Sequence, residues 1–224
     1  FLAVAGMLYF LLISGPITAP KYRLPFEPVL IILQVMALVD VWLRLRRGRE
    51  EGYDGGKYPG MVIWITGLSG SGKTTLATAL YESMKPRLSA LVRIDGDEVR
   101  TLFGNSLGFT ESDRHLQVQR LQNLAAMLDG QGLAVIVAAL YANPDLLAWN
   151  RDHFSNYFEV YIDASLDLVR SRDPKGLYAK AQAGKISHVV GMDVPWHAPD
   201  NPHMTVTAGD DLDTGAVVRD IMDR

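Results

Sequence analysis

The chain has 224 residues, with 22 Lys and Arg against 25 Asp and Glu for a net charge of −3, and no cysteine. That length holds one α/β domain plus an additional segment, and the charge balance supplies no basic field for nucleic acid. Without cysteine, disulfides, thiolate metal sites and a thiol nucleophile are excluded.

The amino end differs from the rest in composition. Phe1 to Pro20 carries no charged side chain, and Phe1–Ile13 is almost wholly aliphatic or aromatic. A second apolar run, Pro28 to Leu43, is interrupted by Gln34 and Asp40 and gives way to Arg44, Arg46, Arg47 and Arg49. Runs of this length suit a bilayer core of about 30 Å, the second only just. The Arg cluster is placed as cytoplasmic charge, so residues 1–47 are expected to form a membrane-associated hydrophobic helical hairpin. A signal peptide is the rival reading of the first run, although no charged segment precedes it. An interfacial helix is the rival for the second. The chain opens on Phe, from which a longer membrane protein upstream is expected. Residues 48–60, rich in glycine and charge, read as a linker to a domain spanning 61–224.

From residue 61 onward, apolar runs alternate with helical patterns. Candidate strands are Met61–Thr66, Leu91–Asp95, Ala134–Ala138, Phe158–Ile162 and Met204–Val206. A helix is expected over Thr75–Tyr81 and the longest over Glu111–Asp129. Strands separated by helix-length segments imply an α/β fold, a parallel sheet with helices on both faces. Phosphate chemistry then gathers at the carboxyl ends of the strands.

Between the first strand and its helix lies Gly67-Leu68-Ser69-Gly70-Ser71-Gly72-Lys73-Thr74, which fits G-x-x-x-x-G-K-[ST]. Backbone N–H groups of Gly67, Ser69, Gly70, Ser71 and Gly72 would close around a phosphate, aided by the helix N-terminus. Lys73 would reach the β/γ-phosphates and Thr74 would hold Mg²⁺. A ligand-free glycine turn is the bland alternative, disfavoured by the strand, loop and helix together. The second strand ends Asp95-Gly96-Asp97, two carboxylates at a strand tip facing this loop. One suits the Mg²⁺ shell and the other suits accepting a proton from an attacking hydroxyl. An ordinary Asp-Gly turn is the competing reading. No Asn-Lys-x-Asp guanine motif follows, which speaks against a GTPase.

Five motifs in order extend the match: Trp64 to Thr74, Asp95-Gly-Asp-x-Val-Arg100, Leu107-Gly-Phe-Thr-x-x-Asp113-Arg114, Arg172-Asp-Pro-Lys-Gly-Leu-Tyr178 and Pro195-x-x-Ala-Pro199. From about Val62 to Val206 the chain resembles adenylylsulfate kinase. The resemblance implies a phosphate-loop NTPase fold and transfer of the γ-phosphate of ATP to the ribose 3′-hydroxyl of adenylylsulfate, with Mg²⁺. It casts Asp97 as base, Asp95 as its metal-side partner and Lys73 as a catalytic cation. Arg172 falls with the ATP-binding residues. Arg100, Phe109, Arg114, Gln117, Lys175 and Val189 fall on the acceptor side, Lys175 in a mobile segment that closes over both nucleotides. Without the resemblance, Phe109 reads as core, Arg114 as a helix charge paired with Glu111 and Lys175 as a surface lysine.

Departures from the family pattern lie on the acceptor side. Gln117 stands where an acceptor-contacting Asn is usual, Gln119 and Gln182 where Arg is usual, Glu98 in place of Asn, and Val189 in place of a Phe that stacks on adenine. Tyr141 to Arg151 also differs from the usual Ser-Pro-Tyr stretch. Stacking on an aromatic is worth about 1–3 kcal/mol per base, so these changes resemble the branch that phosphorylates cytidine diphosphoramidate. A non-catalytic ATP-binding sensor of a membrane protein is a further alternative, weakened by the intact Asp95, Asp97 and Arg172–Tyr178. Expected partners are ATP, a nucleotide-activated small acid, a membrane through residues 1–47 and, at most, a homodimer.

Overall fold

The computed structural model describes residues 60–209 and 212–224. The apolar runs within residues 1–47, the membrane contact assigned to them and nearly all of the 48–60 linker lie outside the described residues. Among the described residues, no helix is long and apolar enough to cross a membrane.

Strand β1 (Val62–Gly67) is buried at all six positions, as is β3 (Ala134–Ala139). Continuous apolar runs of this kind fit the middle of a sheet covered on both faces. With β2 (Leu91–Asp95), β4 (Tyr157–Asp163) and β5 (Met204–Thr207) they form one sheet in the order β2-β3-β1-β4-β5. Every pairing is parallel. The five strands fall where the sequence places them, with β1 shifted by one residue and β3, β4 and β5 extended by one or two.

Alternation along β1 divides the core, because successive side chains point to opposite faces. Val62 and Trp64 join one cluster with Val118, Leu121 and Leu146. These belong to α3 (Glu111–Asp129) and α4 (Pro144–His153). Ile63 and Ile65 join the other with Leu76, Leu80, Val218 and Ile221, from α1 (Lys73–Met84) and α7 (Thr214–Asp223). Each fully buried aliphatic side chain contributes about 1.5–3 kcal/mol. The short helices α2 (Gly96–Leu102), α5 (Leu166–Arg172) and α6 (Leu177–Gln182) complete the described elements.

Helix α3 occupies the expected bounds, and its start is fixed by a capping box. The Thr110 hydroxyl accepts from Asp113 N at 3.2 Å, and the Asp113 carboxylate accepts from Thr110 N at 3.3 Å. Helix α1 is different. Its N-cap Gly72 has φ 106° and provides no side-chain cap, so the first N–H groups of a twelve-residue helix are left facing the loop that precedes them.

Candidate active site

At the carboxyl ends of the strands a cleft of roughly 740 Å³ opens beside the phosphate loop. Ser69, Gly70, Gly72, Lys73 and Thr74 line it on one side. Gly67 and Ser71 stand behind them, Ser71 at 1% exposure. Lys73 Nζ donates to Leu68 O at 2.6 Å, folding the side chain back over its own loop. Although the residue as a whole is only half-buried, desolvation around its ammonium lowers the pKa from 10.5 to about 8, opposed by the charges of Asp97 and Asp95.

Asp95 connects the loop to the base of the cleft. Its Oδ2 accepts from the Thr74 hydroxyl at 2.8 Å, and its Oδ1 caps α2 by accepting from Asp97 N at 2.9 Å. The two carboxylates therefore differ in setting. Asp95 is buried, whereas the Asp97 side chain is 71% exposed and ion-paired with Lys175. Lys175 comes from the turn between α5 and α6. That segment rests on the phosphate loop: the Tyr178 hydroxyl donates to Ser69 O at 3.2 Å, and Pro174 Cδ lies 3.5 Å from where a Cβ on Gly70 would project.

A divalent cation fits the donors present. The Thr74 hydroxyl and the Asp95 carboxylate are hard oxygen ligands at adjoining positions. Among the described residues no group of three or more His, Cys, Asp or Glu gathers to hold a metal by itself. Few protein ligands, with phosphate oxygens and water completing the shell, is the pattern Mg²⁺ favours.

Across the cleft, two guanidinium groups bracket one aromatic ring. Arg100 lies 4.7 Å and Arg114 5.7 Å from the centroid of Phe109. Arg100 Nη1 donates to Leu107 O and Gly108 O at 2.9 and 2.8 Å, which fixes the turn carrying the ring. Phe109 is 53% exposed, so it is not a core residue. Arg114 is buried rather than solvated; its Nε donates to Phe109 O at 3.0 Å and its Nη2 to His188 O at 2.5 Å. Glu111 is not its partner, since Glu111 Oε1 accepts from the Tyr141 hydroxyl at 2.9 Å.

Gln117 and Val189 also line the cleft, both largely buried. Gln117 Nε2 donates to Gly96 O at 3.0 Å, while its Oε1 has no partner among the described residues. Arg172, expected near the ATP phosphates, is not among the cleft residues; its Nη2 donates to Gly209 O at 2.8 Å. Sequence reasoning did not single out Lys180 or His188, and both line the cleft. His188 adopts a left-handed backbone, φ 63°, where glycine or asparagine is more usual. Nothing in its local sequence signals that.

A Gly-rich loop feeding a helix, a strand-tip carboxylate pair and a cationic opposing wall define a phosphate-loop kinase. The family model for adenylylsulphate kinase matches residues 59–207. The chain belongs to that family. An adenylyl-sulfate kinase from Deinococcus deserti is 43% identical over 145 residues, covering 65% of this chain and 80% of that protein. One from Myxococcus xanthus is 40% identical over 163 residues, covering 71% and 86%. Among solved structures, the Mycobacterium tuberculosis APS kinase in complex with AMPPNP and APS superposes with a TM-score of 0.67. It is 34% identical, covering 74% of this chain and 97% of that one.

Proposed function

We propose that this domain transfers the γ-phosphoryl group of ATP to the ribose 3′-hydroxyl of adenylylsulfate, forming 3′-phosphoadenylylsulfate. The observation that carries the reading is a single cleft in which Lys73, Thr74 and Asp95 face Arg100, Phe109 and Arg114, with Asp97 between them. The activity named for the relatives supports it.

In this mechanism Asp97 accepts the 3′-hydroxyl proton as the O3′–P bond forms and the bond from the γ-phosphorus to the bridging oxygen breaks, releasing ADP. Loop amides from Gly67 to Gly72 cradle the phosphates, and Lys73 neutralises developing charge on the transferred group. Thr74 and Asp95 would hold Mg²⁺, which supplies charge neutralisation at the β- and γ-phosphates. Lys175 exchanges its contact with Asp97 for nucleotide oxygens, and the Arg172–Tyr178 segment excludes water. Arg172 acts from the end of α5, anchoring that segment near the triphosphate. Arg100, Arg114 and Phe109 grip the anionic acceptor and its base, with Gln117 and Val189 shaping the rest of that wall.

A second reading is favoured by the aliphatic Val189 and by the unpartnered Gln117 Oε1. Both leave room and a hydrogen-bond acceptor for a smaller base, as in cytidine diphosphoramidate. A coupled ADP-release assay on the full chain in detergent, with either acceptor, tests both. Efficient turnover of adenylylsulfate upholds the first reading; turnover of the cytidine compound alone replaces it with the second.

We also infer that residues 1–47 attach the chain to a membrane, that 48–60 link it to the kinase domain of 61–224, and that this domain faces the cytoplasm, where ATP is found. The Arg cluster from Arg44 to Arg49 supports that orientation. Alkaline extraction of membranes containing the full chain should leave it in the pellet, and its release into the supernatant would refute integral attachment.

A further inference from the structure

The acceptor wall includes a turn, 188–194, that lies between the fourth and fifth family motifs. Val189 and His188 sit on a bend closed by an isolated bridge between Val190 and Val194. Inside that bend, Asp193 accepts two consecutive backbone N–H groups, His188 N to Oδ2 at 2.5 Å and Val189 N to Oδ1 at 2.6 Å. Val189 O in turn accepts from Met192, Asp193 and Val194 N at 3.0, 3.2 and 3.2 Å. Gly191, at φ 84°, allows the chain to reverse, and a Cβ there would lie 2.7 Å from Leu166 Cδ2. The bend is thus held from within by one carboxylate, and its positive-φ glycine has little room for a side chain.

The consequence appears 74 positions away in sequence. His188 adopts its left-handed backbone, φ 63°, at the residue whose N–H Asp193 binds. A left-handed non-glycine residue costs about 1–3 kcal/mol and persists only where surrounding contacts over-determine it. The His188 carbonyl then points at Arg114 and accepts from its Nη2 at 2.5 Å. With Nε committed to Phe109 O at 3.0 Å, the guanidinium plane is fixed by two backbone carbonyls. Its Nη1 makes no hydrogen bond among the described residues, and Arg114 is one of the residues lining the cleft. The two backbone bonds also hold the Asp193 carboxyl below the usual carboxylate range.

We propose that Asp193 is a positioning residue for the acceptor site: by fixing the 188–189 turn it sets the plane of Arg114 and the depth of Val189 in the cleft. The proposal rests on Arg114 serving the acceptor, as in the reading above. Asp193 is not among the residues lining the cleft, and the donor side, built on residues 67–74, shares no hydrogen bond with it.

The test compares the full-length wild type with Asp193→Ala and Asp193→Glu, using ATP and adenylylsulfate in steady state. The expected result is an acceptor KM raised about ten- to hundredfold in Asp193→Ala, with the ATP KM unchanged and partial recovery in Asp193→Glu. In an Arg114→Ala background the same Asp193→Ala change should cost clearly less than it does in the wild type, because the part of its effect that runs through that guanidinium is already gone. A crystal structure of Asp193→Ala should show Arg114 Nη2 released from His188 O. Equal losses in both KM values, or full additivity with Arg114→Ala, would overturn the proposal. If the wild type does not turn over adenylylsulfate, the acceptor reading fails. The crystal structure still decides the positioning role, since an unmoved Arg114 sinks it whichever acceptor is used.

Discussion

Gly67→Ala isolates how tightly the phosphate loop is built into the sheet. Gly67 ends β1 in register with Ile162 of β4 and has φ 151°, a conformation side chains rarely adopt. A Cβ at this position would lie 2.7 Å from Ile162 O, 2.8 Å from Ser71 Oγ and 3.3 Å from Ile162 Cβ. The Ser71 hydroxyl can rotate away, but the Ile162 carbonyl cannot recede, because β4 is hydrogen-bonded on both sides and Ile162 is 1% exposed. Backbone strain contributes about 1–3 kcal/mol and overpacking about 1–3 kcal/mol. A combined loss of about 3 kcal/mol lowers Tm by about 6–12 °C in a domain of this size. Gly104→Ala is the control, since Gly104 also has positive φ, 66°, but a Cβ there meets nothing within 4 Å. It should lose only the conformational part, about 1–2 kcal/mol. Thermal unfolding followed by tryptophan fluorescence, with and without ATP, separates the two. If Gly67→Ala melts no lower than Gly104→Ala, the close approach does not constrain the loop.

Other outcomes are expected from the same geometry. Between about pH 8 and 10.5 the unfolded chain binds more protons at Lys73 than the folded one, so the cost of burying that ammonium shrinks as pH rises through this window. Lys73→Met should flatten the corresponding rise in stability, and an unaltered profile would refute the desolvation. Asp97→Asn should lower turnover about 10²–10⁴-fold while ATP binding, measured by calorimetry, persists; retained turnover would remove Asp97 as the base. Arg151 Nη2 donates to both oxygens of the fully buried Glu159, at 2.8 and 3.0 Å. Breaking a buried pair costs about 3–5 kcal/mol, and the one-third exposure of Arg151 places Arg151→Met near the lower figure. A Tm within the error of wild type would show that solvent already screens the pair.

The strands and the longest helix were legible because their signals are local. The continuous apolar run of β1 and the Thr110–Asp113 capping box decide those elements within a few residues. Helix α2 was not assigned, since Asp95-Gly96-Asp97 reads as a turn until Asp95 is seen to cap the helix that follows. The cleft itself was legible through the order of the family motifs, with Lys73, Thr74, Asp95, Asp97 and Arg114 all lining it. The partners were not legible. Arg114 bonds to His188, Lys175 to Asp97 and Arg151 to Glu159, and only the last pair is close in sequence. The two hydrogen bonds that Asp193 accepts are local, from residues four and five positions back, yet neither they nor the left-handed backbone of His188 leave a compositional trace.

The two walls of the cleft come from separate segments of the chain. The phosphate-loop wall is one continuous stretch, 67–74, hung on the central strand, whereas the opposing wall is assembled from Arg100 of α2, the Phe109 turn, α3 and residues 186–190. Gln117 and Val189 sit entirely in the latter, whereas Gln119 lies outside the cleft. The opposing wall can therefore be altered at Gln117 or Val189 without touching the loop, while the ion pair of Asp97 with Lys175 ties the strand tip to the segment that rests on that loop.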